Sequence, residues 1–277
     1  MLEINQIHQG DSIELMKQID DNSIKCIFTD PPYNVGYKYK SYKDKREDYF
    51  EWCKEWLKEC HRVLKDDGNI FVKQFSDNLL KFSSLMLEVG FKEKNIIIWK
   101  NKSQANPKDR FLKEYEVIIF MSKTDSNYFE PFAMKDNRRT NGWGKDRTVF
   151  GRYGDLWDNV KRVTAGNQKH PEGIYKENSG EKIHNCQMPQ ELVKRAIMHT
   201  TKKGDVVLDL FNGIGTTTYE SKLRGRCWIG IEMDEYYNKY ANKRMNQKTL
   251  LPLAEQQEGG NGIPPTNLLV GILPKIL

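Results

Sequence analysis

Short apolar runs alternate with stretches of helical period along most of this chain. Residues 24–29, 69–75, 95–99, 116–122, 205–210 and 226–232 carry compact runs of Ile, Val, Phe, Leu and Trp and predict strands. Between them lie helical patterns at 13–18, 49–64, 77–88, 189–199, 216–223 and 234–246. The longest has Tyr49, Trp52, Cys53, Trp56, Leu57, Cys60, Val63 and Leu64 on one stripe, which reads as core packing. Asp67-Gly68 predicts a turn into the strand at 69, and Pro189 suits the first turn of a helix. Strands alternating with helices predict an α/β fold with a doubly wound, mainly parallel sheet.

Two regions break the rhythm, and the end of the chain changes composition. Residues 35–46 carry Lys38, Lys40, Lys43, Lys45 and Arg46, interleaved with Tyr37, Tyr39 and Tyr42. Such a loop suits phosphate and base contacts, or is a solvated charged loop. Residues 123–182 show no clear period over a length too great for an ordinary connection. Within it Lys135, Arg138, Arg139, Lys145, Arg147 and Arg152 face only Asp136 and Asp146, with Trp143, Phe150, Tyr153 and Trp157 nearby. The alternative there is an irregular subdomain that packs on the core. After Thr249, Glu258-Gly259-Gly260-Asn261-Gly262 and Pro264-Pro265 read as a linker, followed by an apolar stretch from Leu268 to Leu273. That stretch is expected to dock on the core or a second subunit, or to be disordered as termini often are.

The candidate chemistry sits at strand ends. Asp30-Pro31-Pro32-Tyr33 follows the strand at 24–29, where open α/β sheets place their sites. A carboxylate and a proline carbonyl can each accept an N–H from a planar amine while a tyrosine ring covers its face. A Pro-Pro turn that merely ends a strand is the bland alternative. The strand at 205–210 runs into Phe211-Asn212-Gly213-Ile214-Gly215-Thr216-Thr217, whose glycines permit a tight turn and close ligand approach. The turn has neither the third glycine of a dinucleotide fingerprint nor the lysine of a phosphate-binding loop. Glu232 ends the next strand about one helix later, the place from which an acid grips ribose hydroxyls. Asp11, in Gly10-Asp11-Ser12, is either a helix cap or a cofactor contact.

Together these motifs resemble the S-adenosylmethionine-dependent amino-methyltransferases of DNA. The tetrapeptide matches their catalytic motif, and residues 208–217 match their cofactor motif. His184-Asn185-Cys186-Gln187-Met188-Pro189-Gln190-Glu191-Leu192 is similar to the family's His-x-x-Gln-x-Pro-x-Glu-Leu segment, although the family often carries Thr and Lys around that Gln. The catalytic motif precedes the cofactor motif, an order that resembles the circularly permuted beta subgroup. The likeness covers roughly residues 4–122 and 183–247. It implies a Rossmann-like methyltransferase sheet divided into a catalytic half (1–122), a target-recognition insert (123–182), a cofactor half (183–248) and a tail (249–277).

It also implies residue roles. Asp30, Pro31, Pro32 and Tyr33 are catalytic. Asp11, Asp30, Asp209, Phe211, Asn212, Gly213, Gly215, Thr216, Thr217 and Glu232 hold the cofactor, with Asp209 and Thr217 near its methionine end. Lys38, Lys40, Lys43, Arg138, Arg139, Lys145, Arg147 and Arg152 meet DNA. The expected reaction is direct methylation of adenine N6 in a base flipped from duplex DNA. The alternatives are cytosine N4, an RNA or protein amine, and a non-catalytic DNA-binding subunit. A cognate restriction endonuclease and a homodimer are the further partners to be considered.

Composition narrows the class. The 277 residues carry 44 basic and 38 acidic side chains, a formal net charge of +6 that permits a polyanionic partner. No run approaches the apolar length of a membrane helix, and the first residues lack signal-peptide character. Five scattered cysteines (Cys26, Cys53, Cys60, Cys186, Cys227) form no C-x-x-C pair, so neither a disulfide framework nor a metal site is expected. Free thiols suit the reducing cytoplasm.

Overall fold

In the computed structural model, Met1–Gln247 forms one compact unit. The structure describes residues 2–38, 44–101, 107–131, 133–134, 153–163, 170–176, 179–184 and 186–246. The tail from 249 onward lies outside them.

The described strands are β1 (Gln6–Gln9), β2 (Ile24–Thr29), β3 (Leu64–Gln74), β4 (Lys92–Lys100), β5 (Tyr115–Ser122), β6 (Leu156–Trp157), β7 (Val206–Asp209) and β8 (Cys227–Glu232). They form one sheet in the order β1-β8-β7-β2-β3-β5-β4-β6. Only β5 runs against the rest, pairing antiparallel with both β3 and β4. The sheet is therefore mainly parallel, as the alternating pattern predicts.

Helices cover both faces. On one side lie α1 (Ser12–Met16), α2 (Tyr49–Val63) and α3 (Leu79–Val89), packed on Ile27, Ile70, Val72, Leu208 and Ile229. On the other, α4 (Gln190–Thr200) packs on Cys26, Phe28 and Val207. Beside it are α5 (Thr216–Leu223) and α6 (Glu235–Met245), with Ala241 and Met245 against Ile7 and Trp228. Alternate residues of β2 and β7 thus feed opposite cores, as a strand buried on both faces requires. The stripe on α2 is core, with Cys53, Trp56, Leu57 and Cys60 fully buried.

Some expectations need correction. Asp67-Gly68 does not turn the chain into a strand; it lies inside β3. Ile24 pairs with Leu64 and Cys26 with Asn69, so β3 bulges between those points. Gly68 is required there, since a Cβ would sit 2.7 Å from Leu64 Cγ and 2.8 Å from the Lys65 carbonyl. Pro189 is the residue before α4 rather than in its first turn. Strands β1 and β6 gave no signal, because one is a polar edge strand and the other has two residues.

The described parts of the long insert dock on this core. Tyr128 N–H donates to the Asp67 carbonyl and Glu130 N–H to the His199 carbonyl. Trp99 Nε1 donates to the Val160 carbonyl at 2.8 Å. Buried Arg195 of α4 donates to Asn159 Oδ1 and lies 4.3 Å from the Tyr153 ring centroid. So Tyr153 and Trp157, expected as recognition surface, pack against α4.

Candidate active site

Strands β2 and β7 are neighbours at the centre of the sheet. The chain leaves β2 toward β3 on one side and β7 toward β8 on the other. Such a switch point opens a crevice at the carboxyl ends of the strands. Thr29 Oγ1 donates to Asp209 Oδ1 at 3.0 Å, tying the two strand ends together across 180 residues of sequence. A cavity of about 650 Å³ lies there.

Asp30, Pro31, Pro32 and Tyr33 line it. Tyr33 Oη donates to Asp30 Oδ1, and the Tyr33 and Phe75 ring centroids are 4.3 Å apart. Tyr49 Oη donates to the Pro32 carbonyl at 2.7 Å and accepts from Gln74 Nε2. This fixes the second proline from below. Asn34 takes φ 62° just beyond and bonds to Arg46 from both ends of its amide. The base of the 35–46 loop is thereby pinched shut, and Tyr37, Asp44 and Arg46 line the cavity. Residues 39–43 lie outside the described residues.

Phe211, Asn212, Gly213, Thr216 and Glu232 line the opposite wall. Phe211 packs on Trp52 and Trp56 of α2, at 5.5 and 5.6 Å between centroids. Glu232 Oε2 accepts from Gly213 N–H and Oε1 from Asp234 N–H. Burial nevertheless pushes the Glu232 carboxyl up to about 7. Burial also raises Asp209 to about 6, against the bonds from Thr217, Phe211 N–H and Thr29. His184, beside Gly213, is held down to about 4 by burial and is neutral at physiological pH. Its Nδ1 accepts from Cys186 N–H, so its remaining proton sits on Nε2.

Of the residues expected to hold a cofactor, Asp11, Asp30, Asp209, Phe211, Asn212, Gly213, Thr216 and Glu232 reach the cavity. Asp11 caps α1 through bonds from Ile13 and Glu14 N–H while also lining the cavity. Gly215 and Thr217 do not line the cavity. Gly215 starts α5 with φ 78°, and Thr217 turns its hydroxyl inward toward the Phe28 carbonyl. Of the expected DNA contacts, Lys38 is exposed beside the site. Lys40, Lys43, Arg138, Arg139, Lys145, Arg147 and Arg152 lie outside the described residues.

Sequence reasoning missed a buried ionic cluster. Lys73 of β3 donates to Tyr33 Oη and lies 3.3 Å from Asp30 Oδ2 and 2.5 Å from Glu116 Oε2. The other Glu116 oxygen accepts from Asn101 Nδ2 at 2.6 Å and Arg162 Nη2 at 3.0 Å. The available signal was Lys73 directly after the apolar run 70–72 of β3, and Glu116 directly before the apolar run 117–121 of β5.

The cavity brings acceptors together beside a glycine turn, an arrangement able to hold a small planar group. The cavity also fits a nucleoside cofactor. Glu232 and Asp11 offer acceptors, and the buried Asn212 Nδ2 has no partner among the described residues. These features define a Rossmann-like methyltransferase with an Asp-Pro-Pro-Tyr site. The chain belongs to the N6/N4 amino-methyltransferases of DNA: the DNA methylase family pattern matches residues 24–243. It is 33% identical over 263 residues to the Type II methyltransferase M.HinfI of Haemophilus influenzae, covering 88% of this chain and 69% of that protein. It is 32% identical over 263 residues to the DNA adenine methyltransferase YhdJ of Escherichia coli (strain K12), covering 88% and 83%. The solved structure of the PvuII DNA methyltransferase (cytosine-N4-specific) shares the fold, with a TM-score of 0.68, 21% identity and coverage of 91% and 89%. The cofactor of this family is S-adenosylmethionine, with which members of the fold have been solved.

Proposed function

We propose that this protein methylates the exocyclic N6 of adenine in duplex DNA at a specific sequence. The observation that carries this reading is the convergence of Asp30, Tyr33 and the Gly213 turn on one cavity. Similarity to a protein named as a DNA adenine methyltransferase supports adenine as the base. The bonding logic also admits N4 of cytosine, since both amines are conjugated into a ring.

S-adenosylmethionine supplies a methyl carbon activated by its positive sulfur. In this reading Glu232 binds its ribose hydroxyls, with Phe211, Asn212, Gly213 and Thr216 along the turn and Asp209 toward the methionine end. Thr217 supports that turn from behind. Asp30 accepts one N–H of the target amine. The Pro31 carbonyl accepts the other, since the Pro32 carbonyl is engaged by Tyr49. These two bonds draw the nitrogen toward tetrahedral geometry and aim its lone pair. The N–C bond forms as the C–S bond breaks, and the resulting nitrogen cation loses its proton to water. Tyr33 faces the flipped ring, which must leave the duplex to enter such a cavity.

Lys38, Lys40, Lys43 and the basic residues of the insert are assigned to the DNA backbone and base edges. Similarity to a Type II methyltransferase supports a place in a restriction–modification system, acting on cytoplasmic DNA beside a cognate endonuclease. The test is incubation with labelled S-adenosylmethionine and unmethylated genomic DNA, followed by digestion to nucleosides. Label in N6-methyladenine is expected. Label in N4-methylcytosine would keep the mechanism and overturn the base.

A further inference from the structure

Lys73 is an unusual component for a methyl-transfer site. Its side chain is 7% exposed, and its ammonium lies between the carboxylates of Asp30, just past β2, and Glu116 of β5. A buried pair that served packing alone is commonly replaceable by apolar side chains. Here the ammonium instead touches both polar side chains of the catalytic tetrapeptide, Asp30 and Tyr33. The two contacts with carboxylates are unequal. Glu116 at 2.5 Å anchors the lysine, and Asp30 at 3.3 Å feels its charge at longer range. That geometry suits an acceptor that must stay ionised while keeping lone pairs for a substrate N–H.

The cluster then runs outward. Arg162 belongs to the long insert, is 41% exposed, and bonds to the far oxygen of Glu116. Counted together, Asp30 and Glu116 balance Lys73 and Arg162. Without Arg162, Glu116 keeps its full charge and claims the lysine for itself.

We propose that Lys73 is the positioning residue for Asp30, and that Arg162, through Glu116, sets how much of the lysine's charge reaches Asp30, coupling the seating of the insert to the catalytic motif. This rests on Asp30 as the acceptor for the target amine. The balance of shifts agrees. Burial pushes the Asp30 carboxyl up and the Lys73 ammonium opposes it. Burial would raise Glu116 as well, but Lys73 and Arg162 together hold it below its ordinary value. The other titratable groups around Asp30 are Tyr33, Cys186 before α4 and Asp209 at the end of β7.

The test is a set of variants in the full-length protein, assayed for kcat, KM and the pH dependence of kcat. K73M is expected to lower kcat by about 100-fold with cofactor and DNA KM nearly unchanged, and to move the acidic limb to higher pH. R162Q, at a half-exposed position that folding tolerates, is expected to lower kcat by about 10-fold with the same direction of shift. The double variant R162Q/E116Q frees the lysine for Asp30 and is expected to return the limb toward that of the unaltered protein. A purely structural cluster would lower thermal stability without moving the limb, and the double variant would be worse than either single one. Loss of turnover in D30N, with kcat and limb unchanged in K73M and R162Q, overturns the coupling alone. Full turnover in D30N overturns the reading of Asp30 and the coupling with it.

Discussion

The carboxyl ends of β7 and β2 lie side by side but are built by different means. Beyond β7 the backbone makes the site. Gly213 and Gly215 have φ 50° and 78°, and N–H groups of Gly213 and Asp234 hold Glu232. Beyond β2 side chains make it. Pro31 and Pro32 stiffen the chain, and a chain of charges from Arg162 through Glu116 and Lys73 reaches Asp30. The difference teaches where each is vulnerable. The end of β7 depends on the absence of side-chain bulk, and the end of β2 depends on charge held in a dry place.

Four changes sharpen this contrast. The largest effect is expected for Asp30→Ala, which removes the proposed acceptor for the target amine. Turnover should fall by ~10³-fold or more, with S-adenosylmethionine and DNA affinity largely intact. Stopped-flow or steady-state kinetics beside a binding titration checks it, and unchanged turnover would sink the mechanism.

Next is Gly230→Ala in β8. The added methyl would lie 2.9 Å from both Asn212 Cγ and Thr218 Cγ2, so the cofactor turn must move. A stability loss of ~2 kcal/mol is expected, together with weaker cofactor binding. Denaturant unfolding gives the first and calorimetry the second. Unaltered affinity would show that the turn tolerates bulk.

Glu232 gives a pH signature. In the free protein its carboxyl is raised to about 7, above the unfolded value, so the folded state binds this proton more tightly. That contribution favours folding at low pH and is lost as pH climbs through about 7. Ribose hydroxyls favour the carboxylate, so cofactor binding should release a proton near pH 7. Affinity should then weaken as pH falls below about 7. Calorimetry in buffers of different ionisation enthalpy measures the release, and Glu232→Gln should abolish it. Proton uptake instead would remove the ribose role.

The smallest effect is expected for Tyr49→Phe, which frees the Pro32 carbonyl and Gln74 Nε2. A loss of about 1 kcal/mol in stability is expected, with a several-fold drop in kcat and unchanged cofactor affinity. A stability loss without a kcat change would make that bond purely structural.

Much of this was legible along the chain because it is local. A strand at 24–29, a proline-stiffened motif after it, a glycine turn at 211–217 and an acid at the end of the next strand can each be read from a few neighbouring residues. They suffice to predict the mainly parallel sheet and to nominate Asp30, Gly213 and Glu232. They also mislead where a neighbour intervenes. Asp67-Gly68 became a bulge because β2 pairs on both sides of it. Thr217, inside the motif, turned inward because α5 faces it toward the Phe28 carbonyl.

By itself, then, the sequence determined the alternation of elements, the membership of the family and the two motifs at strand ends. Only the tertiary structure decided which charges meet. Lys73 lies opposite Ile118 in the antiparallel pair, which sets Glu116 diagonally beside it on the same face. Asp30 arrives from a parallel neighbour on the other side, and Arg162 from within the insert. Periodicity can mark a lone charge in an apolar strand. It cannot name the partner, because strand order and register bring together residues that are tens of positions apart.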